Sequence, residues 1–197
     1  MTQAIEFFYD FRSPYSYLAF TQLREMDVRI TFRPMRILEV MEKVGNVPTT
    51  ITCAAKGRYA RMDLARWCQR YGIPLQPANV RDVDGAACSR AVLAAGSADA
   101  ADAVTLALYR AIGSEGKTLA TRDDILARIA AAGLDAAPIA ARIDAPDVIA
   151  QLDANTQEAA ERGVFGSPTV FVGDTMFFGN DRLDFVREEL ARLEKAA

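Results

Sequence analysis

Ala4-Ile5-Glu6-Phe7-Phe8-Tyr9, followed at once by Asp10-Phe11-Arg12-Ser13-Pro14-Tyr15-Ser16, is the stretch on which the fold turns. The first part is rich in β-formers and short, which predicts a central strand, and Asp10 to Pro14 then supply turn and helix-start residues. Pro14 suits the first turn of a helix, where its missing N–H costs nothing, and Tyr17, Leu18, Phe20 and Leu23 continue at mostly helical spacing. Asp27 leads into Val28-Arg29-Ile30-Thr31-Phe32-Arg33, an alternating strand that Pro34 ends. Strand, crossover helix and strand predict a parallel pair with a right-handed connection.

From about Ile37 to Arg162 the chain shows helical patterns only. The clearest places Leu64, Trp67, Cys68 and Tyr71 on one face and closes with Gly72 and Pro74. Further helices are predicted at Ala86 to Ala95, Asp99 to Ile112, Asp123 to Ala132 and Asp147 to Arg162; Thr121 opens the third and Gly133 closes it. The alanine-rich stretches carry residues such as Ile125, Leu126 and Ile129 at core spacing, so they read as folded helices. Thr169-Val170-Phe171-Val172 and Thr175-Met176-Phe177-Phe178 flank Gly173-Asp174 as a hairpin, and a last amphipathic helix carries Leu183, Val186, Leu190 and Leu193. The order gives an α/β sheet domain, about 1–35 and 160–197, interrupted by an inserted helical domain at 36–159.

Composition narrows the function. A net charge of −3 over 197 residues, with no basic run, gives no case for nucleic acid or a membrane surface, so a small-molecule partner is expected. No histidine is present, which removes the usual general base, the partner of a serine nucleophile and the commonest metal ligand. Cys53, Cys68 and Cys88 are too scattered for a disulfide framework or a zinc site and read as reduced, mostly buried thiols. No window suits a membrane span and the N-terminus lacks a secretory pattern, which makes a cytoplasmic location the expectation.

Ser13 falls where the first strand meets the first helix, among unpaired N–H groups and the positive end of the helix dipole. It can cap that helix, and it can help hold an anion there. Gly179-Asn180-Asp181-Arg182 opens the last helix, with Asn180 suited to an N-cap and Asp181 to a first-turn acid.

Ser13-Pro14-Tyr15-Ser16 stands where thioredoxin-fold oxidoreductases carry C-x-x-C, with both cysteines replaced, so disulfide exchange is excluded. Across essentially the whole chain the sequence resembles the kappa-class glutathione transferases and the 2-hydroxychromene-2-carboxylate isomerases. The matching pieces are F-Y-D-F-R-S-P-Y-S-Y-L-A, G-N-V-P, Y-G-I-P-L, G-V-F-G-S-P-T and F-G-N-D-R-L. The resemblance implies a thioredoxin-like fold with a large helical insertion and bound reduced glutathione. Ser13 then matches the serine that hydrogen-bonds the glutathione sulfur and favours its thiolate, while Ser16 is structural. Pro168 matches a cis-proline, with Ser167 offering its backbone to glutathione. Asn180 and Asp181 match the γ-glutamyl site, and Asn46 and Lys56 match further glutathione contacts.

The same resemblance implies an isomerase in which the glutathione thiolate adds reversibly to an aromatic substrate, or a transferase that conjugates electrophiles; a redox-silent glutathione-binding module is the non-enzymatic alternative. At positions where the isomerases hold their substrate's carboxylate the chain differs: Lys43 is off register, Thr50-Ile51 replaces an Asn-Arg step, and Val80 follows Pro77-Ala78-Asn79 in place of tyrosine. Apolar faces of the insertion, including Trp67 and Phe165 near the domain junction, are expected to line a pocket for an apolar substrate, and a homodimer is the expected assembly.

Overall fold

A computed structural model of the chain describes residues 4–196. Four strands form one sheet in the order β2-β1-β3-β4. As expected, β1 (Ala4–Tyr9) and β2 (Arg29–Pro34) run parallel, while β3 (Thr169–Val172) and β4 (Thr175–Phe178) make an antiparallel hairpin. Gly173 takes the left-handed φ of 58° at its turn. β1 lies in the middle, with Ala4 opposite Arg29 and Tyr9 opposite Pro34 on one side, and Phe7 opposite Val170 on the other. Its composition follows from that place: Phe7, Phe8 and Tyr9 are all completely buried, since both faces of the strand are covered.

Alternation sends Ile5, Phe7 and Tyr9 to one face and Phe8 to the other. The first face packs on α1 (Pro14–Leu23), α6 (Ala98–Ser114) and α10 (Leu183–Ala196), and there the Phe7 and Tyr9 rings stack at 4.6 Å. The second face is covered by α2 (Ile37–Lys43) and α9 (Pro146–Glu161), whose Ile37, Val40 and Ala159 meet Phe8 and Phe171. The helical stretch therefore covers the first face with α6, from its middle, and the second with its two ends. Between them run α3 (Thr49–Thr52), α4 (Ala54–Tyr71), α5 (Gly85–Leu93), α6, α7 (Arg122–Ala131) and α8 (Ala137–Arg142). The predicted helices lie within a few residues of their expected bounds, with Thr121 building a capping box on Asp124 and Gly72 closing α4 at φ 65°. α3 and α8 are too short for a hydrophobic period to announce them. Cys68 and Cys88 are buried, Cys53 is half-buried, and all three thiols are free. Among the described residues no helix is long and apolar enough to cross a membrane.

Candidate active site

Ser13 caps α1: its Oγ accepts the Ser16 N–H at 3.3 Å, with Pro14 as the first helical residue. Its own N–H donates to the Asp10 carbonyl at 2.9 Å, which fixes the turn out of β1. Its hydroxyl donates to the carbonyl of Ser167 at 3.0 Å. The Ser167–Pro168 bond is cis, as expected, and the Ser167 side chain is locked onto the same loop. Its Oγ lies 2.6 Å from Ser16 Oγ and accepts the Asp10 N–H at 3.0 Å. Ser16 is fully buried.

Asp10 ties this arrangement to the rest of the molecule. Its buried carboxylate accepts from Arg12 N at 2.8 Å, Arg12 Nη2 at 3.1 Å and Ile37 N, the first of α2, at 3.0 Å. Its carbonyl also takes the Tyr109 hydroxyl at 3.3 Å. Burial pushes the Tyr109 phenol well above its ordinary pKa, so it remains a neutral donor.

The other site residues surround this centre at different distances. Gly179 N donates to the Pro168 carbonyl at 3.0 Å, which sets the next turn beside the cis-proline. In one respect that turn corrects the expectation. Asn180 is not the N-cap of the last helix; Asn180–Arg182 form a separate tight helical turn entered through Gly179 at φ 99°, and α10 starts at Leu183. Only glycine accepts that φ readily, and a Cβ at Gly179 would stand 2.5 Å from Asp181 Oδ1. Asn180 is 4% exposed, and its Nδ2 has no hydrogen-bond partner among the described residues. Asp181 is exposed, pairs with Arg182, and its charge reaches the Tyr15 phenol. Asn46 uses its side chain within the protein, donating to the Phe165 carbonyl at 2.7 Å and accepting the Val47 N–H at 2.8 Å, so it steadies the approach to Ser167. Lys56, in the first turn of α4, reaches Thr49 Oγ1 at 3.3 Å and no carboxylate among the described residues.

Lys56 lines a cavity of about 420 Å³ with Tyr15, Thr50, Ala55, Tyr59 and Ala60. Tyr15, two residues past Ser13, has its hydroxyl on Asp63 at 3.0 Å. Trp67 faces elsewhere, into a cavity of about 300 Å³ that also touches Arg70, Asn180 and Arg187. Phe165 packs on Phe178 with ring centroids 4.7 Å apart. The two aromatics expected to share one apolar pocket are thus separate, because Trp67 turns toward α10 while Phe165 stays with the hairpin.

A serine-capped helix facing a cis-proline on this sheet points to one group of proteins. A DSBA-like thioredoxin domain model matches residues 4–191. The 2-hydroxychromene-2-carboxylate isomerase of Sphingobium xenophagum is 35% identical over 96% of this chain and 99% of its own length. The chain belongs to that family. A solved 2-hydroxychromene-2-carboxylate isomerase superposes with a TM-score of 0.87 at 30% identity, covering 98% of this chain and 97% of its own. The human glutathione S-transferase kappa 1 is 28% identical over 94% of this chain and 90% of its own. The relatives are isomerases and transferases, and this family member is an enzyme.

Asp10, Arg12 and Tyr109 belong to the site although no sequence motif singled them out. An acid that directly follows an apolar strand, with an arginine two residues on, is the signal that was available: the strand drags the carboxylate into the interior, where it requires a partner.

Proposed function

We propose that the protein is a glutathione-dependent isomerase acting on an aromatic, conjugated substrate of the 2-hydroxychromene-2-carboxylate kind. The observation that carries this reading is Ser13, a hydroxyl at a helix N-terminus facing the cis Ser167–Pro168 bond, with serine at both positions where a dithiol would stand. The donor set suits reduced glutathione. A thiol at Ser13 meets the helix dipole and a hydroxyl, Ser167 offers backbone pairing, the orphaned Asn180 Nδ2 calls for a carboxylate oxygen, and Asp181 suits an ammonium. When bound, glutathione would supply a thiolate that adds to a conjugated carbon and leaves again.

The chain's own part is to prepare that step. Ser13 Oγ–H, which donates to the Ser167 carbonyl, would turn to the sulfur, and with the positive end of the α1 dipole it would lower the thiol's pKa. Ser16 and the Ser167 side chain keep the loop fixed while that proton moves. Tyr15 and Tyr59 give the cavity apolar walls for an aromatic substrate, and Lys56 brings to its edge a cation with no carboxylate partner among the described residues. A cytoplasmic homodimer completes the reading, with size-exclusion chromatography as its check.

A kappa-like transferase is the second reading, favoured by Thr50, Ile51 and Val80, which stand where the isomerases carry substrate contacts. Calorimetric titration with reduced glutathione tests the shared basis. Micromolar to low-millimolar binding, weaker in Ser13→Ala and Asp181→Ala, is expected, and no binding overturns it. Ser13→Ala should lower turnover about 10²-fold with folding intact. Glutathione recovered after turnover marks the isomerase; net consumption marks the transferase.

A further inference from the structure

Arg12 adjoins Ser13 in the turn between β1 and α1. Its backbone N–H, Nε and Nη2 all go to the Asp10 carboxylate, at 2.8, 3.3 and 3.1 Å. The Asp10 side chain is 2% exposed, and a carboxylate so buried is costly unless it is paired. Asp10 is also bonded through its carbonyl to the N–H of Ser13. An unbalanced negative charge there would oppose an anion gathered at the N-terminus of α1.

The surroundings sharpen this. The start of α5 closes over the pair: a Cβ on Gly85 would stand 3.1 Å from Arg12 Nε and 3.2 Å from Asp10 Oδ1. The titratable groups that face the pair are Glu39 from α2, Asp84 at the cap of α5, Cys88 within α5 and Tyr109 from α6. Burial raises the last two above their ordinary values, so both are neutral. Asp10, Glu39 and Asp84 all act on Arg12. Only Asp10 is bonded to Arg12; Asp84 and Glu39 act on it through space, and Glu39 is itself paired with Arg36.

We propose that Arg12 is a positioning residue for the reaction: through Asp10 it holds the loop that presents Ser13, and its charge cancels that of Asp10, so that an anion at Ser13 is not repelled. The proposal rests on the glutathione reading. A structural role and a charge role separate cleanly, because removing either partner loosens the loop, whereas the two removals change the local charge in opposite directions.

The experiment follows the ultraviolet absorbance of the thiolate of bound glutathione across pH, for the wild type, Arg12→Gln, Arg12→Lys and Asp10→Asn, with calorimetry confirming that each binds. Arg12→Gln should move the midpoint to higher pH, leaving about three- to tenfold less thiolate at neutral pH. Arg12→Lys should restore most of it, and Asp10→Asn should move the midpoint lower. Should Asp10→Asn fail to fold, the contrast of Arg12→Gln with Arg12→Lys decides, and equal upward shifts overturn the proposal. Shifts of Arg12→Gln and Asp10→Asn in the same direction, or an unmoved midpoint in Arg12→Gln, overturn it as well. Binding by all four proteins with such a result leaves the glutathione function standing, whereas a wild type that binds no glutathione brings down both.

Discussion

The sheet side of the molecule and the side formed by α3 and α4 are built in different ways. On the sheet side, Asp10, Ser13, Ser16 and Ser167 are linked by hydrogen bonds that join residues as far as 157 positions apart, above rings with no exposure. On the other side, α3 buries none of its residues and α4 buries Leu64 and Cys68 out of 18, while Val47, Ile51, Tyr59 and Met62 are each more than half exposed. The groups that must be held to a fraction of an ångström sit where moving one breaks several bonds. The groups that must admit and release ligand sit where opening exposes little that was buried.

The largest way to break this contrast is Phe7→Ala. The ring is fully buried in the central strand, stacked on Tyr9 and Phe20, and its loss should cost about 3–5 kcal/mol in denaturant unfolding. A cost under about 1 kcal/mol would mean that the sheet side is not the rigid one.

Gly57→Ala comes next and acts on the other side alone. A Cβ there would stand 2.9 Å from the backbone carbonyl of Thr50, so α3 must move off α4. Alanine's better helix propensity, about 1 kcal/mol, offsets part of the strain. Global stability should change by less than about 1 kcal/mol, while amide exchange over 49–71 quickens and glutathione affinity falls. If Gly57→Ala destabilises the whole molecule as Phe7→Ala does, the two sides fold as one unit and the contrast is false.

Sequence alone showed the sheet side well, because its signals are local. Four β-formers in a six-residue strand, a proline at a helix start and a Gly-Asp turn each dictate their own backbone. The partners of the site residues were not legible, since Ser13 meets Ser167 and Asp10 meets Ile37 through tertiary folding. Asn180 shows why a local rule fails: Asn before an acid and an apolar run suits an N-cap, yet the left-handed Gly179 turns the chain inward and buries the side chain. Asn46 and Lys56 carry no local signal at all, lying in or beside a loop whose geometry α3 sets.

Glu6 gives the smallest effect and the finest test, because it pins the sheet side by charge where other contacts pin it by packing. Its Oε1 takes Arg162 Nη1 at 2.7 Å and its Oε2 takes Arg33 Nε at 2.9 Å. Burial alone would raise its pKa; the hydrogen bonds from Arg162 and Arg33 outweigh that and hold the carboxyl below its ordinary 4.5. A carboxyl more acidic folded than unfolded binds fewer protons in the native state. Its contribution is therefore complete above the unfolded value and disappears as pH falls through the folded one. Glu6→Gln should cost about 0.5–1 kcal/mol at neutral pH, as partly exposed pairs do, and nothing once Glu6 is protonated. Melting curves of both proteins across acid pH read this directly. A gap that persists at the lowest pH would show that the difference does not come from the charge of the Glu6 carboxylate. The Gly57→Ala defect should not depend on this titration, since Lys56 and Thr49 hold α3 to α4 without a carboxylate, so a shared pH dependence would join the two sides after all.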